Sequence, residues 1–289
     1  MNRRPLLRTL RPWLVDVLRR LHLLEPARRV RTVGVRAVAR ELRYEVFGAP
    51  DKLPLPPRRL HDLIVGRDDL TIHDYLWIGR FCADGLGKLL LAHAPSLRAL
   101  EPVLDFGCGC GRVMRHLWAA EPGLRVCGTD INADQVAWCG AHLPFEAAAV
   151  NGPTPPLSFP EGTFGLAYAF SVFTHLPTEL QRPWLEELVR VVRPGGYLFL
   201  SFHGAAHAME LAPAGRAQFA AGSLVVVRPQ DANIPHRYAK CSAYHPRAYV
   251  TGEFARGLTV LGHTPAQIVD GRAVGHDFYL LRKPPTNAT

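Results

Sequence analysis

The sequence predicts an α/β domain in which helices cover both faces of a mainly parallel sheet. Between residues 102 and 202, short apolar runs typical of strands alternate with segments of helical periodicity. Such alternation requires parallel strands joined by crossover helices. A glycine-rich turn follows the first apolar run directly. With 289 residues, 48% of them hydrophobic, the chain is long enough for one large domain with appendages.

Five strands are predicted in order, at Val103–Asp105, Leu124–Thr129, Phe145–Val150, Gly165–Phe170 and Tyr197–Phe202. The helices between them are predicted at Gly111–Ala120, Ala133–Leu143 and Glu179–Val192. Asn132 stands where its side chain can cap the second of these helices. The segment 193–196, Arg-Pro-Gly-Gly, is expected to form the turn before the fifth strand.

The chain is expected to divide into a basic helical arm with a proline-rich linker at residues 1–57 and an α/β domain at residues 58–289. Leucines at spacings of three and four between residues 7 and 24 predict an amphipathic helix. The segment Ala49–Pro57 is rich in proline, which is typical of a linker. We expect the arm to pack on its own domain. Contact with a membrane surface or a partner protein through residues 1–48 is the alternative.

The net charge of +9 is concentrated in this arm. Residues 1–40 hold eleven arginines against Asp16 and Glu25, so the remainder of the chain is formally neutral. Nucleic acid is therefore not expected as the substrate, since nucleic-acid enzymes usually spread positive charge around the active-site cleft. No apolar run reaches the roughly 18–20 residues that cross a bilayer. Six scattered cysteines indicate a reducing compartment, so a cytoplasmic protein is expected.

The glycine turn, VLDFGCGCGR at residues 103–112, predicts a site for a cationic ligand. Gly107 and Gly109 remove side chains where the chain leaves the first strand, so a ligand can lie against the backbone. Arg112 stands where a dinucleotide-binding motif has its third glycine. The carboxylate of Asp105 would repel a pyrophosphate but attracts an amino group. The expected ligand is therefore positively charged and free of phosphate.

A second carboxylate, Asp130, is predicted at the end of the second strand. It lies 21 residues beyond Gly109, and a carboxylate at that place can accept hydrogen bonds from both hydroxyls of a ribose. Ile131 beside it is expected to pack on adenine. A turn residue or a helix cap is the structural alternative for Asp130.

Four motifs in this order, VLDFGCGCGR, CGTDIN, LAYAFSVFTHLP and LVRVVRPGGYLFLSFHG, resemble those of class I S-adenosylmethionine-dependent methyltransferases. The resemblance covers the chain from about residue 63 to its end. It implies S-adenosyl-L-methionine as the cofactor. It also implies a Rossmann-like, seven-stranded sheet whose last strand, here His276–Leu281, runs antiparallel.

The resemblance also implies which residues hold the cofactor. Many members carry an acidic residue after the third strand that meets the adenine amino group, whereas this chain has the neutral Asn151 there. Ser171 follows the fourth strand, where relatives close over the cofactor. The remaining candidates surround the glycine turn and the end of the second strand: Asp105, Gly107, Cys108, Gly109, Asp130 and Ile131.

The candidates for proton transfer lie in an expected insertion for substrate binding at about residues 203–249. A hydroxyl acceptor needs a base, and a histidine that titrates near neutrality suits that role. His203 is the favoured base because it follows the fifth strand at the edge that faces the cofactor crevice, and His245 is the second candidate. The alternative for both is a structural histidine. Other titratable residues of the insertion are His207, His236, Tyr238 and Tyr244.

No metal is expected from the sequence. Cys108 and Cys110 lack the spacing and the matching pair of a zinc site, and His276 with Asp277 alone makes a poor magnesium site.

Two closing motifs, YHP at 244–246 and GHD at 275–277, resemble a bacterial subgroup associated with glycan or secondary-metabolite tailoring. The sequence thus predicts an enzyme that O-methylates a hydroxyl of a sugar or other small metabolite. One alternative is an N-methyltransferase for an amine or peptide. Another is a non-catalytic cofactor-binding module with a membrane- or partner-binding arm.

Overall fold

The computed structural model describes residues 43–44, 46–65, 71–228 and 241–286. Most of the predicted arm lies outside these residues, as do His236 and Tyr238 of the insertion. The chain divides into two compact units, Met1–Trp77 and Ile78–Thr289. The domain boundary expected at residues 57 and 58 stays a prediction.

The first unit contains helix α1 (Arg58–Val65) and the beginning of helix α2 (Ile72–Leu90). A small apolar cluster forms around the buried side chains of Tyr75 and Leu76. The proline-rich segment that was predicted as a linker contributes Ala49 and Leu55 to this cluster.

The second unit is built on a seven-stranded sheet with the strand order β3-β2-β1-β4-β5-β11-β8. Strands β1 to β5 are parallel to one another, whereas β11 is antiparallel to both β5 and β8. This arrangement confirms the predicted fold class, including the antiparallel last strand. The seven strands are β1 Val103–Phe106, β2 Val126–Asp130, β3 Ala147–Val150, β4 Phe164–Ala169, β5 Val192–Phe202, β8 Thr259–Thr264 and β11 Asp277–Arg282.

Helices and two small antiparallel strand pairs complete the unit. Asn132 caps the helix Ala133–His142 as predicted, because its Oδ1 accepts a hydrogen bond from the Gln135 N–H at 3.1 Å. None of the helices in the described part of the chain is long and apolar enough to cross a membrane. The α-helices are α3 Met114–Ala120, α4 Ala133–His142, α5 Thr178–Val191, α6 Ala205–Ala208, α7 Pro213–Ala220 and α8 Arg247–Tyr249. The strand pairs are β6 Val225–Val227 with β7 Ser242–Tyr244, and β9 Gln267–Val269 with β10 Arg272–Val274.

A large apolar core lies between the central strands and the apolar face of α5. Every residue of β4 is buried, as expected for a parallel strand covered on both faces. On α5, Trp184, Leu185 and Leu188 are at most 2% exposed. Burying each of these side chains is worth about 1.5–3 kcal/mol, so this packing holds α5 on the central strands.

The glycine pair before the fifth strand departs from the prediction. Residues 193–196 do not separate a helix from a strand, because β5 already begins at Val192. Instead, the pairing of β4 with β5 shifts its register between Phe164 and Leu166, and Gly195 adopts a φ of +77°. The segment predicted as a turn is therefore an irregular first part of β5.

Candidate cofactor and acceptor site

The carboxyl ends of β1 to β5 meet at one edge of the sheet, and this edge carries the candidate site. Open α/β sheets bind ligands in the crevice outside these ends. Most of the predicted site residues lie within or directly after these strand ends: Asp105 and Gly107 at β1, Asp130 and Ile131 at β2, Asn151 at β3, Ser171 at β4, and His203 at β5.

The glycine turn after β1 has no room for a side chain at Gly107. Its φ is +76°, and a Cβ atom there would lie 2.3 Å from Cγ2 of Val172. The N–H groups of Gly107 and Cys108 both donate to the carbonyl oxygen of Thr129, at 2.8 and 2.9 Å. The turn is thereby held between the end of β2 and the loop after β4.

Asp105 is a buried carboxylate without a full set of partners. It is 3% exposed, and its Oδ2 has no hydrogen-bond partner among the described residues. Burial is the main reason that the pKa of Asp105 rises to about 7; the nearby Tyr168 hydroxyl opposes the rise, and the Asp130 carboxylate adds to it. A buried polar atom without a partner is costly. This position therefore favours a ligand that brings a positively charged donor.

Asp130 uses both carboxylate oxygens to hold the backbone around it. Its Oδ2 accepts the Gly109 N–H at 2.8 Å, and its Oδ1 accepts the Asn132 N–H at 2.9 Å. Burial raises its pKa, and these backbone hydrogen bonds oppose the rise. Each oxygen keeps a further lone pair, so the carboxylate can still accept hydroxyl donors. Ile131 beside it is 41% exposed.

Asn151 offers one oriented acceptor at the end of β3. Its backbone N–H donates to the Asp130 carbonyl oxygen at 3.0 Å, and its Nδ2 donates to the Gly152 carbonyl oxygen at 2.8 Å. The second bond fixes the amide orientation, which leaves Oδ1 buried and without a partner in the described structure. A neutral acceptor of this kind suits an exocyclic amino group.

A hydrogen bond holds the backbone of Ser171, whereas Cys108 has a buried side chain. Ser171 has a φ of +62°, and its N–H donates to the Ser201 hydroxyl oxygen at 2.8 Å. The Cys108 thiol is buried, and interaction with Cys139 together with burial raises its pKa. The thiol is therefore a poor nucleophile at neutral pH.

His203 does not stand alone at the end of β5. The imidazoles of His203, His207 and His276 each present a ligand atom within 4.8 Å of the others. Their ring centroids are separated by 4.5 Å for 203–207, 4.9 Å for 203–276 and 5.4 Å for 207–276. We call these three residues the histidine triad. The sequence indicates His203 as a base, whereas the grouping of the three imidazoles becomes apparent only in the fold.

Burial dominates the electrostatics of the triad. It lowers the pKa of His203 far below the ordinary value, with the neighbouring imidazoles adding to the effect. Burial also lowers the pKa of His276 to about 3, and that of His207. All three rings are therefore neutral at pH 7. A base whose pKa lies far below the working pH accepts a proton poorly.

His245 faces the core rather than the triad. It is 1% exposed, its Nε2 lies 3.1 Å from Gln181 Oε1, and its ring packs against Phe202 and Phe254. Burial lowers its pKa to about 3. These contacts favour the structural interpretation of His245, and its role as a second base stays an untested prediction.

The sheet order, the glycine turn after β1 and the carboxylate at the end of β2 are together typical of a nucleoside-binding α/β domain. Residues 103–196 match the protein-family model described as a methyltransferase domain. This segment is therefore a methyltransferase domain of the class I, S-adenosylmethionine-dependent type, which confirms the resemblance found in its motifs.

Curated relatives also match part of this chain. The 2-methyl-6-phytyl-1,4-hydroquinone methyltransferase of Synechocystis sp. is 35% identical over 101 residues, which are 34% of this chain and 31% of that protein. The sterol 24-C-methyltransferase of Eremothecium gossypii is 33% identical over 112 residues, which are 37% of this chain and 29% of that protein. The match thus spans about a third of the length of these relatives. Since they are named for different acceptors, they do not define one for this chain.

Solved structures share the fold. Magnesium protoporphyrin IX methyltransferase from Synechocystis PCC 6803, with bound S-adenosylhomocysteine, has a TM-score of 0.52 at 16% identity, over 78% of this chain and 93% of that one. The 1,6-didemethyltoxoflavin-N1-methyltransferase of Burkholderia thailandensis has a TM-score of 0.51 at 17% identity, over 80% and 92%. At such identities, the likeness concerns the fold alone.

Proposed function

We propose that this protein transfers a methyl group from S-adenosylmethionine to a hydroxyl of a sugar or other small metabolite. The observation that carries the cofactor assignment is the buried Oδ2 of Asp105, which lacks a partner beside the glycine turn. An ammonium group restores both the charge balance and the hydrogen bonding of this carboxylate. A nucleotide phosphate at the same place would be repelled.

The other cofactor residues follow from the ends of the strands. Asp130 binds the ribose hydroxyls through its remaining lone pairs, and the exposed Ile131 lies against the adenine face. Asn151 Oδ1 accepts a hydrogen bond from the adenine amino group. In many relatives an acidic residue has this role. Gly107, Gly109 and the backbone of Cys108 border the methionine end, and Ser171 closes over the cofactor.

The transfer itself is an in-line displacement. When bound, S-adenosylmethionine supplies an electrophilic methyl group, and transfer forms the O–C bond and breaks the S–C bond, leaving a neutral thioether. The protein has to orient the acceptor oxygen and let its proton leave. We assign His203, at the carboxyl end of β5, to the acceptor side of the crevice, where it helps to orient the acceptor oxygen.

Two measurements test the cofactor and the acceptor separately. Calorimetry should show one S-adenosylhomocysteine bound per chain and no binding of a nicotinamide dinucleotide; the reverse result defeats the cofactor assignment. Turnover with radiolabelled S-adenosylmethionine is then measured against hydroxylated metabolites and against amines or peptides of similar size. If only the amines or peptides are labelled, the protein is an N-methyltransferase and not an O-methyltransferase. If the cofactor binds but no acceptor is labelled, the result supports the non-catalytic module.

The histidine assignment has its own control. Changing His203 to Gln should reduce O-methylation, whereas changing the exposed His142 to Gln should leave it unaltered. An amine acceptor reacts in its neutral form and needs less help from a base. Full activity of the His203→Gln variant would therefore favour amine methylation.

A further inference from the structure

We propose that His203, His207 and His276 form a binding site for one divalent transition-metal ion of the zinc type, with an open coordination position toward the acceptor crevice. This inference departs from the sequence-based expectation of no metal. Its catalytic role rests on the proposed methyl transfer, whereas metal binding itself does not.

The spacing of the three rings fits one ion. Three imidazoles with a free fourth position are a donor set of catalytic zinc sites, with Zn–N distances of about 2.0–2.1 Å. Tetrahedral geometry at that distance separates the nitrogens by about 3.3 Å. The ligand atoms of the triad already lie within 4.8 Å of one another. Closing the difference requires ring movements of at most about 1.5 Å, which rotation of the side chains can supply.

The ring nitrogens are available for such an ion. Nδ1 of His203 and Nδ1 of His207 are buried and have no hydrogen-bond partner within the described chain. Two stacked imidazoles that leave buried nitrogens unsatisfied make a costly arrangement. A shared cation removes this cost, because neutral imidazole is the form that binds metals.

His276 has the support expected of a metal ligand. Its Nδ1 lies 3.0 Å from the Ser201 hydroxyl oxygen, which leaves Nε2 as its ligand atom when Nδ1 carries the proton. Metal-binding histidines usually donate their other N–H to an oxygen in this way, which fixes the ring orientation. The Ser201 oxygen also accepts the Ser171 N–H at 2.8 Å. The same hydroxyl thus connects the triad to the loop assigned to the cofactor.

A carboxylate lies behind the triad and supplies negative charge. Asp277 follows His276 and packs so closely against Gly204 that a Cβ atom there would lie 2.2 Å from its Oδ2. Both of its oxygens are engaged, one with His263 Nε2 at 2.9 Å and the other with the Ala266 N–H at 2.9 Å. Asp277 is therefore a source of favourable charge and not a fourth ligand.

A cation at this place would act on the acceptor directly. A zinc ion lowers the pKa of a bound oxygen group by many units. An ion held by His203, His207 and His276 would make it easier for an acceptor hydroxyl at the open position to release its proton to solvent. Nitrogen ligands select zinc, cobalt, nickel or copper over magnesium and calcium.

Metal binding by tag-free, chelator-stripped protein tests the site. We expect one Zn²⁺ per chain by elemental analysis after dialysis, and visible absorption of tetrahedral type when Co²⁺ replaces it. Single changes of His203, His207 and His276 to Ala should each weaken Zn²⁺ binding at least tenfold. The control His142→Ala, which removes an exposed imidazole, should bind as the wild type does. Mg²⁺ in excess should not compete.

The result that overturns the site is wild-type protein that binds no Zn²⁺ above background, or triad variants that bind it as tightly as the wild type. Thermal unfolding keeps the test independent of folding defects, because Zn²⁺ should raise the Tm of the wild type and of His142→Ala but not that of the triad variants. S-adenosylhomocysteine binding is measured on the same samples. If wild-type protein does not bind S-adenosylhomocysteine, the proposed function is rejected, but the metal result still stands. If it binds S-adenosylhomocysteine but no Zn²⁺, only the metal site is rejected.

Discussion

The N–H of Gly109 donates a hydrogen bond to Oδ2 of Asp130 over 2.8 Å. The carboxylate assigned to the ribose therefore also fixes the glycine turn that borders the methionine end. Its second oxygen holds the N–H of Asn132, which caps the following helix. The Asp130 side chain thus connects the two parts of the proposed cofactor site, the ribose contact and the glycine turn.

This double role predicts two separable effects of changing Asp130. Asp130→Ala should weaken S-adenosylhomocysteine binding by about 1–3 kcal/mol through the loss of charge-assisted hydrogen bonds. It should also lower the Tm, because two backbone N–H groups lose their acceptor. Asp130→Asn retains one acceptor oxygen, so it should recover part of the Tm but little of the affinity. Calorimetry and thermal unfolding measure the two effects. Unchanged affinity in a folded Asp130→Ala variant refutes the ribose assignment.

The sequence reveals the cofactor side of the site well because its signals are local. Asp105, the glycines and Asp130 each lie in or directly after the end of a strand that an apolar run predicts, and parallel strands bring such ends to one edge. The triad depends on a non-local relationship, the pairing of Asp277 with Phe202 across two antiparallel strands. In the sequence, His203 and His207 are four residues apart, whereas His276 lies 69 residues beyond His207.

The irregular start of β5 was missed for a related reason. A Pro-Gly-Gly sequence is typical of a turn, and local propensity cannot show that the backbone of Gly195 hydrogen-bonds to Lys283 across the sheet. Its N–H donates to that carbonyl oxygen at 3.1 Å. Tertiary pairing here overrides turn preference.

Gly107 should be intolerant of even one methyl group. Gly107→Ala combines a φ of +76° with a Cβ placed 2.3 Å from the Val172 side chain. Gly257→Ala is the matched control, since its φ is +86° but nothing lies within 4 Å of the new Cβ. Both variants bear a backbone strain of about 1–2 kcal/mol. Only Gly107→Ala should also displace the turn and weaken S-adenosylhomocysteine binding by more than tenfold.

The double variant Gly107→Ala with Val172→Ala completes this experiment. Removing the Val172 methyl groups should restore part of the lost affinity, whereas Val172→Ala alone should have a small effect on it. If Gly107→Ala and Gly257→Ala bind the cofactor equally well, the close approach at Val172 has no functional importance.

Asp105 should couple cofactor binding to proton release. Burial raises its pKa from 3.8 to about 7, so at pH 6 the ligand-free carboxyl is mostly protonated. A cationic amino group requires the ionised form, and binding at pH 6 should release close to one proton. Calorimetry in buffers of different ionisation enthalpy measures this release. Asp105→Asn should abolish it and weaken binding by about tenfold or more; the same proton release in this variant contradicts the assignment.

The same residue should make the ligand-free protein less stable as pH rises. Because the folded pKa lies above the unfolded one, the native state holds more protons between pH 3.8 and about 7. The associated stability is present below this window and is lost as pH rises through it. Asp105→Asn does not undergo this loss. Above pH 7, the variant should therefore unfold at a higher Tm than the wild type, although it binds the cofactor less tightly.

His245 should prove to be a stability residue. His245→Leu leaves the buried Gln181 amide oxygen without its partner, at a cost of about 1–3 kcal/mol, yet kcat measured well below the Tm should stay within a few-fold of the wild type. The pKa of about 3 lies below the unfolded value of 6.5, so the stability contributed by neutral His245 is present above pH 6.5 and is lost as pH falls toward 3. The Tm difference between the variant and the wild type should therefore narrow on acidification.

A double-mutant cycle with Gln181→Leu should show coupling in stability but not in turnover. A folded His245→Leu variant that loses a hundredfold in kcat would instead place this histidine in the reaction.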